Sequence, residues 1–194
     1  MSYILSDDGG IMGRKLPKYL RDDEVRKLLK APSRNKTRDR LILRILYRCG
    51  LRVSELTNLK IQDIGFEEEM ITVRSGKGDK DRVVPVDADT LDLIEFYKAG
   101  ADKGTLILSE RGESLSTRQV ERIVKKYAKK AGLKKNVYPH MLRHSFAVHC
   151  LKAGMNLRTV QKMLGHSSLT TTQIYLDLTG EDIKQDYEEH PLPA

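Results

Sequence analysis

The chain has 194 residues and a formal net charge of +8, with 39% hydrophobic residues, no Trp and three Phe. That length suits one domain with a small extension, and no stretch reaches the roughly 20 apolar residues that a membrane helix needs. The N-terminus, MSYILSDDGG, lacks the basic-then-apolar order of a signal peptide, so a cytoplasmic protein is expected.

Residues 1–20 show no period, and Gly9, Gly10 and Gly13 mark a flexible lead-in or linker remnant. Asp22 or Asp23 can cap a short helix holding Val25, Leu28 and Leu29, which Pro32, Ser33 and Asn35 interrupt. Thr37 opens a stronger helix with Leu41, Ile45 and Leu46, closed by Gly50. The following GLRVSELTNL sets Arg52 and Glu55 one helical turn apart among Leu51, Leu56 and Leu59. Such a pair is ordinarily a surface contact worth little. Its position at a tight helix junction predicts instead an Arg that is partly buried and held. The two cysteines, Cys49 and Cys150, each fall in an apolar helical pattern and read as buried reduced thiols.

The period then changes. Residues 61–66, 70–74 and 82–86 read as three short strands, and SGKGDKD joins the last two as a glycine-rich hairpin. Lys77 stands near its tip, with Lys80 close by. A tip lysine is usually solvated, and the alternative is a mobile ammonium that reaches a phosphate or a leaving oxygen. The GKG is not a P-loop, because it lacks the G-x-x-x-x-G-K-[ST] spacing. Asp87 caps a helix with Leu91, Ile94 and Tyr97 that ends at Gly100, and Leu106 to Leu108 form a short strand or extended link.

Ser116 and Gln119 form a capping box. Behind it Val120, Ile123, Val124, Tyr127 and Ala128 make an apolar face, and Gly132 ends the helix. Arg118, Arg122, Lys125, Lys126, Lys129 and Lys130 cover the rest. Between Arg118 and Arg143 there are nine Lys or Arg against one acid, Glu121, so this segment carries the whole net charge of +8. A block of that kind points to a polyanion, and Arg118, Arg122, Lys125 and Lys126 are the candidate nucleic-acid contacts. The plainer reading is a solvated helix face.

The next stretch holds the chemistry. Pro139 suits the first position of a helix, and Leu142, Phe146 and Cys150 mark its apolar face. His140 and Arg143 share another face, one turn apart. Gly154 stops that helix, and Asn156 caps the next, whose buried stripe is Leu157, Val160 and Leu164 before Gly165. His166 sits just past this helix, and Tyr175 follows on a later segment. Thr179 then caps an acidic terminal helix with Ile183 and Tyr187 on one face.

Two fixed guanidiniums, Arg52 and Arg143, can each grip a phosphate and stabilise the charge of a phosphoryl-transfer transition state. A tyrosine hydroxyl titrates at roughly 10 and needs positive charge or a base to attack. His140 or His166 can move protons, and a Lys can protonate the departing oxygen. No acidic cluster of two-metal nuclease type accompanies these residues. His140 and His144 have zinc-like spacing, but the H-E-x-x-H glutamate is absent and Arg143 would repel a cation. No metal is expected.

Taken in order, Arg52 in CGLRVSEL, Lys77 in SGKGDKDR, His140 and Arg143 in PHMLRHSFA, His166 in LGHSS and Tyr175 in TTTQIY resemble the catalytic domain of the tyrosine recombinases, the phage-integrase and Xer-type family. The resemblance implies a mainly α fold with a small three-stranded antiparallel sheet over residues 21–178, and an exchange-type helix or tail over 179–194. It implies that Tyr175 is the nucleophile, forming a 3′-phosphotyrosyl DNA intermediate. Arg52 and Arg143 would bind the scissile phosphate, and Lys77 rather than Lys80 would be the general acid. His140 would assist proton transfer, His166 would hydrogen-bond the phosphate, and Glu55 would support Arg52.

The family partner is double-stranded DNA carrying a specific recombination site, bound in a tetrameric synapse joined through the C-terminal tails. Neither metal nor ATP is required, and Xer-type members act in chromosome segregation or integration. One departure stands out. Family members usually carry an N-terminal helical clamp, and here only residues 1–20 precede the catalytic-type region. The chain alone is therefore expected to cleave DNA and to recombine poorly. A type IB topoisomerase shares the chemistry, and a non-enzymatic DNA-binding module suits the basic helix. The acidic tail favours a recombinase over the topoisomerase, and Tyr175 discriminates against the binding module, which would bind DNA equally well with phenylalanine there.

Overall fold

Residues 18–74 and 81–165, the part of the chain that the computed structural model describes, form helices and one small sheet. The helices are α1 (Asp22–Lys30), α2 (Thr37–Arg48), α3 (Val53–Asn58), α4 (Ala88–Lys98), α5 (Thr117–Lys130), α6 (Pro139–Lys152) and α7 (Leu157–Leu164). The strands β1 (Ile64–Gly65), β2 (Met70–Val73) and β3 (Arg82–Pro85) lie between α3 and α4. The expected α+β plan is therefore present: mainly helical, with an antiparallel sheet in the order β1-β2-β3. No helix among the described residues is long and apolar enough to cross a membrane.

Helix α2 is the centre. Leu41, Ile42, Leu43, Ile45 and Leu46 are all buried and give it a wide apolar face, with Arg40, Arg44 and Arg48 along the remaining side. It packs against α1, α3, α4, α5 and α6. Its polar exceptions are tied down. Arg44 pairs with Asp87, the cap of α4, and donates to Thr90 Oγ1 at 2.9 Å. Buried Asp39 accepts a hydrogen bond from the Tyr127 hydroxyl of α5 at 2.8 Å. Helix α6 is likewise enclosed, with Met141, Leu142, Arg143, Ser145, Phe146, Ala147 and Val148 all buried.

Local signals fixed most helix ends. Asp87 and Asn156 accept hydrogen bonds from Thr90 and Arg158 backbone N–H groups, and Ser116 and Gln119 form a reciprocal capping box. Pro139 opens α6 as expected. Two ends differ. Helix α1 begins at Asp22, after Arg21, whose N–H is taken by Glu24 Oε2 at 2.8 Å, so the Glu side chain does the capping rather than Asp22 or Asp23. Helix α4 ends in a left-handed residue at Ala99, one before the expected Gly100.

The sheet is shorter than its pattern suggests. Residues 61–66 do not form one strand: a 3-10 turn at Ile61–Asp63 precedes the two-residue β1. Asp63 causes this, accepting from the Lys60 N–H at 3.2 Å and from Arg74 Nε at 2.6 Å. An acid that bonds nearby groups in this way competes with the strand ladder. The remaining register sets Ile71 opposite Val84 and Val73 opposite Arg82. The 106–108 segment is no strand: isolated bridges flank it, Lys60 to Thr105 and Leu108 to Ser114.

The lead-in expected over residues 1–20 is not loose at its end. Leu20 is fully buried, and its N–H donates to Ser145 Oγ at 2.8 Å. Both cysteines are free thiols: Cys49 is buried and Cys150 half-buried. Burial pushes Cys49 up to about 12 and Cys150 up to about 11, so both stay protonated and unreactive near neutrality.

Candidate active site

Three arginines meet at the end of α7. The last carbonyls of a helix have no partner inside it, and they form the negative end of its dipole. Here three consecutive ones are each taken by a different guanidinium. Arg82 Nε donates to the Met163 carbonyl at 2.7 Å, Arg143 donates to the Leu164 carbonyl, and Arg52 donates to the Gly165 carbonyl at 3.2 Å. These arginines come from β3, from α6 and from the residue that precedes α3. The end of α7 is thus fixed from three directions, immediately before His166 in the sequence.

Glu55 is the counter-charge. Its side chain is 8% exposed. It accepts from the Arg52 N–H at 2.7 Å and from an Arg52 terminal nitrogen at 2.9 Å. It also receives both terminal nitrogens of Arg82, each at 2.8 Å, in a bidentate pair. An Arg143 nitrogen stands 3.9 Å away. Burial alone would raise the Glu55 carboxyl. The hydrogen bonds from Arg82 and the Arg52 backbone, and the charges of Arg82 and Arg143, outweigh it and hold the group down at about 2.

The exposures of the three arginines differ. The Arg52 side chain is 31% exposed, the Arg82 side chain 8% and the Arg143 side chain 4%. Arg52 is held and partly open, as its position at the junction predicts. Arg143, expected on a face apart from the apolar one, is buried. It donates to the Gly50 carbonyl at 2.6 Å as well as to Leu164, which joins the α2–α3 junction to the end of α7. His140 is exposed on the first turn of α6, its ring 6.5 Å from that of His144. Burial, then the charges of His140 and Arg143, lowers the His144 imidazole to about 4.

Arg82 is the residue that sequence reasoning missed. A signal existed: on β3 it lies two residues from buried Val84 and alternates with Val83, which is 54% exposed. A charged residue on the inward face of a strand needs a buried partner. Of the remaining candidates, Arg118, Arg122, Lys125 and Lys126 are exposed along α5. That helix packs on both α3 and α6, two of the elements beside the arginine cluster. Lys77, His166, Tyr175 and the 179–194 tail fall outside the described residues.

Comparison with known proteins agrees with this picture. The model of the phage integrase family matches residues 18–181. The tyrosine recombinase XerA of Pyrococcus furiosus is 48% identical over 184 residues, a match that covers 92% of this chain and 64% of that protein. This chain therefore spans just under two thirds of the length of that relative. A crystal structure of XerA recombinase superposes with a TM-score of 0.81 at 38% identity, covering 94% of this chain and 68% of the other. A crystal structure of XerH site-specific recombinase bound to palindromic difH substrate, in a post-cleavage complex, gives a TM-score of 0.74 at 32% identity. That match covers 90% of this chain and 53% of XerH.

Proposed function

The chain belongs to the phage integrase family, and from that premise we propose that it is the catalytic domain of a site-specific DNA recombinase of the tyrosine class. The observation that carries the reading is the arginine cluster at the end of α7, where Arg52 stays partly open beside a fully ionised Glu55.

The chemistry is a transesterification. The Tyr175 hydroxyl attacks the scissile phosphorus, a P–O bond to tyrosine forms, and the bond to the 5′ oxygen breaks. The tyrosine proton leaves with the help of His140, and Lys77 protonates the departing 5′ oxygen. Arg52 and Arg143 bind the scissile phosphate, with Arg52 the more open of the two and Arg143 adding its charge from behind. His166 donates a hydrogen bond to the phosphate. Glu55 orients Arg52 through its two bonds to that residue. The phosphotyrosyl bond conserves the energy of the broken ester, so reversal of the same steps by a 5′ hydroxyl rejoins a strand without ATP or metal.

The partner is duplex DNA, whose phosphates meet Arg118, Arg122, Lys125 and Lys126 on α5. Self-association on DNA runs through residues 179–194, and the protein works in the cytoplasm. The deciding experiment is covalent trapping. The chain is incubated with nicked suicide duplexes in EDTA and run on a denaturing gel beside Tyr175→Phe. A shifted adduct that disappears in the variant supports metal-free tyrosine chemistry. No adduct on the duplex that the chain itself enriches from a randomised pool would leave a DNA-binding module.

A further inference from the structure

We propose that Arg82 is a positioning residue for phosphoryl transfer, which neutralises Glu55 so that Arg52 keeps its full positive charge for the scissile phosphate. The inference rests on the function proposed above. Glu55 touches Arg52 twice, at 2.7 and 2.9 Å. With Arg52 as its sole partner, the carboxylate would cancel the charge that Arg52 brings to the phosphate. Arg82 removes that problem by covering both carboxylate oxygens at 2.8 Å. Three guanidiniums against one carboxylate leave the cluster with two net positive charges. Its Nε is taken by the Met163 carbonyl and both terminal nitrogens by Glu55, which makes Arg82 a partner for those groups rather than for DNA.

The same contacts fix geometry. Arg82 bridges Glu55 on α3 to the Met163 carbonyl at the end of α7. Its Cδ lies so close to Gly165 that a Cβ there would come within 2.9 Å. Losing Arg82 therefore costs the site one positive charge and releases the Glu55 carboxylate toward Arg52. A charge-neutral substitution affects a substrate that needs charge stabilisation. It has far less effect on one that does not.

The test compares two substrates. The nicked duplex enriched by the wild-type chain is made with a normal phosphodiester or with a neutral methylphosphonate at the cleaved position. Adduct formation is then timed for the wild type, Arg82→Met and Arg82→Lys. The phosphodiester rate of Arg82→Met should fall by about a hundredfold, as for loss of one preorganised charge, and the methylphosphonate rate by about threefold or less. Arg82→Lys should recover part of the loss, and Glu55→Gln combined with Arg82→Met should cleave faster than Arg82→Met alone.

Should Arg82→Met not fold, Arg82→Gln carries the same comparison, keeping hydrogen bonding without charge. Equal losses on both substrates would make Arg82 a structural brace and overturn the inference. Wild-type rates in Arg82→Met would overturn it as well. A wild type that forms no adduct on either duplex overturns the recombinase reading, and this role falls with it.

Discussion

The Phe146 ring lies where a side chain at Gly50 would stand. A Cβ built on Gly50 comes within 2.5 Å of Phe146 Cδ1, and the Gly50 backbone has a φ of +61°. This glycine therefore meets two demands at once, a left-handed turn between α2 and α3 and close contact with α6. The Gly50 carbonyl also accepts a hydrogen bond from Arg143 at 2.6 Å. Gly50→Ala should destabilise the domain by about 2 to 4 kcal/mol, combining left-handed strain with overpacking. Urea unfolding would measure this, and a loss below the range of ordinary surface substitutions would mean that Phe146 moves aside freely.

Arg52 and Arg143 should separate by stability. The Arg52 side chain is partly open at 31%, so Arg52→Ala should leave folding close to wild type and lower cleavage by about a hundred- to a thousandfold. Arg143→Ala removes the donor to the Gly50 and Leu164 carbonyls in a buried corner. It should cost about 2 to 4 kcal/mol of stability in addition to cleavage, because two buried acceptors lose their partner. Melting curves and adduct yields on one set of proteins test both. Equal losses of noncovalent DNA affinity and of cleavage in Arg52→Ala would mean that this residue merely holds the duplex.

What could be read from the sequence follows from range. Asp87, Ser116 and Asn156 act on backbone groups two or three residues away, so their caps are written in adjacent letters. Arg52 and Glu55 are visible for the same reason. The pairing of Arg82 with Glu55 spans 27 residues and exists only because β3 lies beside α3 and α7. Arg143 misled for a different cause. Helical spacing assigns it a face apart from Leu142 and Phe146, but α6 is enclosed on nearly all sides, so its polar residue is buried with the rest. Asp63 hid the end of a strand because its hydrogen bonding, rather than the apolar pattern of its neighbours, decides the local backbone.

The outer face of α5 gives a prediction about salt. Arg118, Arg122, Lys125 and Lys126 are exposed, so replacing them with Ala should leave the melting temperature nearly unchanged. DNA affinity should fall, and the slope of log affinity against log salt should flatten by about 0.9 for each residue that meets a phosphate. The loss should be similar across duplex sequences, since phosphate contacts position the protein without reading bases. Fluorescence anisotropy at several salt concentrations measures it. An unchanged slope in the fourfold variant would leave this face solvated and move the DNA elsewhere.

Acid should lower the stability of this domain over two pH ranges. The His144 imidazole is lowered from 6.5 to about 4 by burial and by the charges of His140 and Arg143. The folded protein therefore keeps it neutral while the unfolded chain takes up a proton, and stability falls as pH drops from 6.5 toward 4. The Glu55 carboxyl is lowered from 4.5 to about 2. Its contribution is complete above pH 4.5 and is lost as pH falls through about 2, a loss of about 3 kcal/mol by linkage. His144→Gln should flatten the upper part of the curve of unfolding free energy against pH, and Glu55→Gln the lower part. Urea titrations from pH 7 to pH 2.5 measure both slopes. A His144→Gln curve that still runs parallel to wild type between pH 6.5 and 4 would mean that another group carries the upper transition.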